Sequence, residues 1–299
     1  MAKFTNDELM ARLRAVPKAG ADIDFGKARA ALERQTAKAP LHEGAIATPV
    51  NAGGVPAEWL DPATPPTNGR AILYLHGGGF TMGSIGTHRA LASHLAAAAD
   101  ARVLLIDYRL APEHPFPAGL DDAVAAWRWM IGPGGADPAR SVIAGDSAGG
   151  GLTASTTLAL RKAGDPSPAG IVCLSPFVDM EATGTTYTTK VDDDPMIGVD
   201  GLKANITAYL GNTDARDPLA SPIHGDWSGA PPMLIQVGTN EVLLDDSRTL
   251  TKVCRSAGVR VTLEEWDGMV HVWHSFYGLI DDAERAVDRI GEWVKETTP

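Results

Sequence analysis

Cysteine is scarce in this chain, two in 299 residues, which leaves no material for a disulfide framework. Cys173 sits in the apolar run 171–174 and Cys254 in a helix-like segment, so both read as small buried hydrophobes in a reducing compartment. Positive charge is also in deficit, with 26 Lys and Arg against 37 Asp and Glu for a net −11. That balance repels phosphate backbones and anionic lipid, so nucleic acid is not an expected partner. No stretch approaches the roughly 20 apolar residues of a membrane-spanning helix. Residues 1–16 mix Lys3, Asp7, Glu8, Arg12 and Arg14 among their apolar positions and have no h-region of a signal peptide. The expectation is a cytoplasmic protein with no membrane span. Internal repeats and low-complexity tracts are missing, and Asp192-Asp193-Asp194 lacks the spaced partner ligands of a cation site, so it reads as a solvated loop.

What is present is a regular alternation. Leu9, Leu13 and Val16, then Ile23, Phe25, Ala28 and Leu32, suit two amphipathic helices broken around residues 17–20. Residues 43–60 alternate about Asn51-Ala52-Gly53-Gly54 and predict a hairpin, with a proline-rich loop over 61–69. From Arg70 onward, strand patterns at 71–75, 103–106, 142–144, 171–174, 233–237 and 259–266 alternate with helical patterns at 86–99, 119–130, 148–162, 245–257 and 275–296. Continuous apolar strands between helices argue for an α/β fold with a mostly parallel sheet covered on both faces, in one continuous core. The alternation fails between Ser175 and Pro232, where residues 201–210 have helical character and no strand is evident. This insertion, together with the N-terminal helices, is expected to cap the carboxyl edge of the sheet.

The chemistry gathers around Gly145-Asp146-Ser147-Ala148-Gly149, which lies between a strand pattern and a helix pattern. A serine held out on so tight a turn needs residues without bulk two before and two after it, and glycine fills both places. A serine hydroxyl is a weak nucleophile near neutral pH, so acyl transfer needs a base in reach, an acid behind the base and donors for an oxyanion. Among the eight histidines, His271 stands in the loop after the last strand pattern, where catalytic groups of open α/β sheets collect. His274, its rival, is expected to open the terminal helix in a surface or capping role. The acid should fall between serine and histidine at another strand end. Glu241 lies in such a loop, whereas Asp245 and Asp246 coincide with a helix start, where capping accounts for them; Glu241 is the first choice and Asp245 the second. His76-Gly77-Gly78-Gly79-Phe80 follows a strand with its amides unshielded, and fits neither a phosphate loop nor a dinucleotide fingerprint. The amide of Ala148, at a helix N-terminus, is a further donor.

With these motifs assembled, the chain resembles the bacterial hormone-sensitive-lipase-like esterases, family IV of the α/β-hydrolase superfamily. The likeness is carried by residues 76–80, by Asp107-Tyr108-Arg109-Leu110-Ala111-Pro112-Glu113-His114-Pro115-Phe116-Pro117-Ala118, by residues 145–150 and by residues 267–271, and it covers nearly the whole chain. It implies a single α/β-hydrolase domain over 1–299, capped by about 1–42 and about 178–225. It also implies Ser147 as nucleophile, His271 as base, and the amides of Gly78, Gly79 and Ala148 as oxyanion hole, with no metal or cofactor. Ester hydrolysis is the implied activity, and a homodimer paired through the last strand, near residues 259–266, the implied assembly; nothing in the sequence resembles an exposed interfacial lid helix, so short to medium acyl esters are expected, or lactones, which present the same electrophile. Arg109, Glu113 and Asp121 or Asp122 are expected to form ion pairs that hold loops, and Asp146 to stabilise the elbow. One departure stands out: where the family usually places an aspartate, this chain has Glu241. The alternative is a catalytically silent relative that binds a small ligand, although such relatives usually lose a triad member.

Overall fold

The computed structural model describes residues 3–299, so the first two residues of the segment assigned to the cap lie outside it. Thr5 accepts from the Glu8 amide while the Glu8 carboxylate takes the Thr5 N–H, a capping box that opens α1 (Asn6–Arg14). Asp24 caps α2 (Phe25–Thr36) by accepting from Lys27 N. The hairpin follows as the sequence predicts. β1 (Ile46–Ala52) and β2 (Val55–Asp61) pair antiparallel about Gly53 and Gly54, both at positive φ, the conformation that a two-residue hairpin turn demands.

Beyond the hairpin come β3 (Ala71–Leu75), α3 (Ile85–Ala99), β4 (Arg102–Ile106), α4 (Ala118–Ile131), β5 (Ser141–Asp146), α5 (Ala148–Ala163) and β6 (Gly170–Leu174). After the insertion, which holds α6 (Thr186–Thr189) and α7 (Val199–Leu210), the pattern resumes with β7 (Met233–Gly238), α8 (Leu244–Ser256), β8 (Val261–Trp266) and α9 (Asp281–Thr297). The strands form one 8-stranded sheet in the order β1-β2-β4-β3-β5-β6-β7-β8. β2 runs antiparallel to both of its neighbours, β1 and β4, and all pairings among β3 to β8 are parallel. The period-2 pleat sorts the apolar strand residues between two layers. Ile72, Tyr74, Val142, Ala144, Val172 and Leu234 pack with Leu91 and Leu95 of α3 and Val287, Ile290 and Trp293 of α9. Leu73, Leu75, Ile143, Ile171 and Ile235 face the other side, with Leu120 and Trp127 of α4, Leu152 of α5 and Leu250 of α8. Hence the strands are apolar throughout, and their carboxyl ends are left for chemistry.

The carboxyl-terminal region departs from the sequence expectation. Instead of one helix over 275–296, a 3-10 turn at Trp273–Phe276 is followed by Gly278 at φ 79°, and α9 begins only at Asp281. Glycine in the left-handed region stops the turn, and Asp281, Asp282 and Glu284 then favour a fresh helix N-terminus. His274 is consequently neither exposed nor a cap. It is fully buried, shares a hydrogen bond with Gln236 Oε1 at 2.8 Å, and burial pushes its imidazole down to about 3, so it is a neutral core histidine.

The stretch between β6 and β7 has no strand among the described residues, as expected. It is pinned at its start by Asp246 of α8, which accepts from Val178 N at 2.9 Å and Asp179 N at 3.1 Å. Burial raises the Asp246 carboxyl to about 8 despite those amides, and Asp179 adds to the rise. An acid whose folded pKa lies above its unfolded value contributes stability that is complete below the unfolded pKa, near 3.8, and lost as pH rises toward the folded value. Asp246→Asn, which keeps an acceptor for both amides, is therefore expected to gain stability over wild type between pH 5 and pH 8, by at most about 1.4 kcal/mol per pH unit. Urea midpoints of the two proteins at both pH values check this; a constant difference would remove the buried-acid interpretation.

Candidate active site

β5 delivers Ser147 into a turn that few residues tolerate. Ser147 has φ 52° and ψ −120°, a region outside the ordinary wells that costs on the order of 1–3 kcal/mol and persists only where the surroundings enforce it. They do so by contact: a Cβ on Gly149 would run into the carbonyl oxygens of Leu75 and His76, and one on Gly145 would press on the Gly149 and Leu75 carbonyls. Ser147 N donates to Leu174 O at 2.8 Å and Gly151 N to Ser147 O at 3.0 Å, which fixes the turn to β6 and to α5.

His271 reaches the serine from the loop after β8. That loop is tied to the end of β7 by Asn240 N donating to Met269 O at 3.0 Å and Gly268 N donating to Thr239 Oγ1 at 2.8 Å. The imidazole lies with Nε2 2.9 Å from Ser147 Oγ and Nδ1 2.7 Å from Glu241 Oε2. Glu241 is wholly buried, and its second oxygen accepts from Gly238 N at 2.6 Å and Ser175 Oγ at 2.7 Å. The longer side chain is thus accommodated by giving the carboxylate its own cradle at the ends of β6 and β7. Asp245 stands elsewhere. It accepts from Thr185 Oγ1 at 2.7 Å and Thr186 N at 3.2 Å, and it pairs with Arg248. Of the two candidate acids, the fold brings only Glu241 to the imidazole.

Burial alone would favour neutral His271, but the hydrogen bond and charge of Glu241, reinforced by Asp194 and Asp146, outweigh it and raise the imidazole above its ordinary 6.5. The imidazolium is therefore stabilised where it would have to form.

Gly78 and Gly79 occupy φ 119° and 61°, conformations open to glycine. Gly78 O accepts from Thr81 N and Met82 N, closing the turn, while the amides of Gly78, Gly79 and Ala148 donate to no acceptor among the described residues. Both glycines line a cavity of about 330 Å³ with Ser147 and His271. Asp146 braces this loop against the elbow, accepting from Tyr74 Oη at 2.8 Å and Gly77 N at 3.1 Å with His88 Nε2 at 3.4 Å. Arg109 pairs with Asp122 at 2.8 Å, and Glu113 with Arg29 of α2 at 2.7 Å. Arg29 also donates to Thr81 O at 2.7 Å and Ala111 O at 2.8 Å, so α2 is fastened to the segment that follows the glycine loop.

Two features escaped the sequence. Ser175, at the end of β6, donates to Glu241 and accepts from Val272 N at 3.2 Å; only its place at a strand's carboxyl end hinted at it. The acidic triplet is not a solvated loop throughout, because Asp194 is buried and accepts from Met196 N at 2.8 Å, Ile197 N at 2.9 Å and Val242 N at 3.0 Å. Three backbone amides satisfy it.

A serine on a strained strand-to-helix elbow, followed in chain order by a carboxylate and an imidazole that hydrogen-bond in line with it at the carboxyl edge of a mostly parallel sheet, is the arrangement of the α/β-hydrolases. Comparison with known proteins agrees and narrows the class. The profile of the alpha/beta hydrolase fold family matches residues 72–275. An acetyl-hydrolase of Streptomyces hygroscopicus is 45% identical over 249 residues, covering 83% of this chain and 82% of its own. A crystal structure of an esterase from the bacterial hormone-sensitive lipase family superposes with a TM-score of 0.93 at 43% identity over 100% of both chains. EstE5, from a crystal soaked with p-nitrophenyl butyrate, does so with a TM-score of 0.93 at 41% identity over 98% of both. The chain belongs to the α/β-hydrolase fold family and, within it, to the carboxylesterases of the bacterial hormone-sensitive-lipase type.

Proposed function

We propose that this carboxylesterase works through an acyl-enzyme on Ser147, with His271 as general base and acid and Glu241 as the triad acid. Ser147 Oγ attacks the ester carbonyl carbon as its proton passes to His271 Nε2; the same proton then leaves with the departing alcohol oxygen. Glu241 holds the proton on Nδ1 and offsets the imidazolium charge, and the amides of Gly78, Gly79 and Ala148 receive the oxyanion. Water repeats the sequence on the acyl-enzyme and releases the carboxylic acid. Hydroxyl, imidazole, carboxylate and amides supply every proton and charge in this cycle without a metal or cofactor. The observation that carries the reading is the unbroken line from Glu241 Oε2 through His271 to Ser147 Oγ, at 2.7 Å and 2.9 Å.

In this reading the N-terminal helices and the insertion form the cap, since Leu32 and Thr36 of α2 and residues between 196 and 205 line the cavity together with Ser147. A cavity of about 330 Å³ suits short to medium acyl esters or lactones, at the small end of ligand sites. The acetyl-hydrolase relative and the EstE5 crystal soaked with a butyrate ester support the same range. The test is trapping: an alkyl phosphonate p-nitrophenyl ester should add one phosphonyl group to Ser147, read by peptide mass, as ester hydrolysis stops. A protein inhibited without modification of Ser147 would overturn the nucleophile.

The pH profile offers a separate check. Because His271 must be neutral to accept the proton and its pKa is raised, kcat/KM should climb with pH through a midpoint above 6.5, and fall below it. Activity level down to pH 5 would be incompatible with this base.

A further inference from the structure

The wall of the substrate cavity carries one amide whose donors are uncommitted. Its polar lining, apart from Ser147, His271 and Asp146, comes from few side chains, and most already have partners. Thr36 donates to Leu32 O at 2.9 Å, Thr87 to Ser84 O at 2.9 Å, and Ser275 to Val272 O at 2.9 Å. His88 faces Thr87 Oγ1 with one ring nitrogen and Asp146 Oδ2 with the other. Asn205 of α7 differs. Its Oδ1 accepts from Thr81 Oγ1 at 3.0 Å, which fixes the plane of the amide, while Nδ2 donates to nothing among the described residues. Nδ2 is also close to the glycine loop: a Cβ on Gly79 would collide with it. The position a Cβ would take is two bonds from the Gly79 amide nitrogen, the group that would hold the oxyanion. The free N–H groups therefore lie beside Gly79 of the glycine loop, on a cavity wall that includes the apolar side chains of Leu32, Met82, Ile197 and Leu202.

We infer that Asn205 is a specificity-determining residue: Nδ2 donates to a second acceptor oxygen of the substrate, close to the scissile carbonyl, and favours oxygenated esters over their hydrocarbon counterparts. This rests on the ester-hydrolase reading above. A donor in a largely apolar pocket rewards an acceptor and is left unpaired by a methylene, which is how a site built to hydrogen-bond rejects an analogue lacking the partner. The acceptor can belong to the acyl chain or to the alcohol, and the two are separable.

The experiment compares isosteric pairs that exchange one CH₂ for an ether oxygen. For the acyl arm the pair is p-nitrophenyl butanoate and p-nitrophenyl methoxyacetate; for the alcohol arm it is butyl butanoate and 2-methoxyethyl butanoate. The quantity read is the ratio of kcat/KM within each pair, for wild type, Asn205→Leu and Asn205→Asp. Dividing each variant's ratio by that of wild type cancels the intrinsic reactivity of the esters. Asn205→Asp keeps an acceptor for Thr81 but has no donor, so it separates donation to substrate from support of the loop. The expected result is a loss of preference for the oxygenated ester of about three- to tenfold in both variants, in one arm, which also assigns the side of the ester. If both members of each pair change by the same factor in both arms, Asn205 only holds the glycine loop and the inference is overturned. Wild-type activity on the butanoates that survives in Ser147→Ala would instead sink the ester-hydrolase reading, and the inference with it.

Discussion

In Ser147→Ala, kcat on p-nitrophenyl butanoate falls by on the order of 10⁶-fold, the scale at which serine hydrolases lose their nucleophile. The magnitude follows from what the substitution leaves standing. Alanine meets the same backbone restrictions as serine at φ 52°, and the contacts that force the turn come from Gly145, Gly149 and the ends of β3 and β6 rather than from the hydroxyl. The cavity, the glycine loop and the imidazole persist, so binding is retained and residual turnover reflects the amides and the bound geometry alone. Initial rates across substrate concentration, with far-ultraviolet circular dichroism to confirm the fold, check the expectation. A variant retaining more than about a hundredth of wild-type kcat would be incompatible with covalent catalysis at this serine.

Glu241→Gln is expected to cost about 10⁴-fold in kcat, by analogy with triad acids elsewhere, whereas Asp245→Asn should leave kcat within a few-fold of wild type. Glutamine matches the shape of glutamate in a fully buried site, but it must still satisfy Gly238 N and Ser175 Oγ with its carbonyl oxygen. Its NH₂ is then turned toward His271 Nδ1, where a donor selects the wrong imidazole tautomer and the charge that raises the imidazole pKa is lost. The acid limb of kcat/KM should move to lower pH in this variant, a signature that damage to packing alone would not produce. Asp245 serves Thr185, Thr186 and Arg248, so its loss is felt in the insertion and hardly at the imidazole. Steady-state kinetics on the pair decide it, and the opposite order would transfer the acid to Asp245.

Much of this arrangement is legible in the sequence because it depends on neighbours along the chain. The elbow glycines, the hairpin at Gly53 and Gly54, and the apolar strands each follow from local backbone and burial rules. The same logic of strand ends placed His271 and Glu241 in loops at one edge of the sheet. What eluded the sequence is held by partners remote in the chain. Ser175 meets Glu241 66 residues later and Val272 97 residues later, distances over which no periodicity carries information. His274 reads as a helix opener because the helical pattern runs on from 275, whereas Gly278 breaks it and the acidic cluster at Asp281 starts the helix afresh. Asp194 reads as solvent-facing because acidic runs generally are; burial becomes tolerable only when three amides converge on one carboxylate.

That convergence ties fit to rate. Asp194 holds the amides of Met196 and Ile197, which shape the substrate cavity, and through its other oxygen the amide of Val242, the residue following Glu241. A lineage adapting to a new ester by remodelling the wall at 196–197 also disturbs the seat of the group behind the histidine. Changes of fit made through this wall are thereby expected to reach the seat of Glu241 as well, through the one carboxylate that holds both segments.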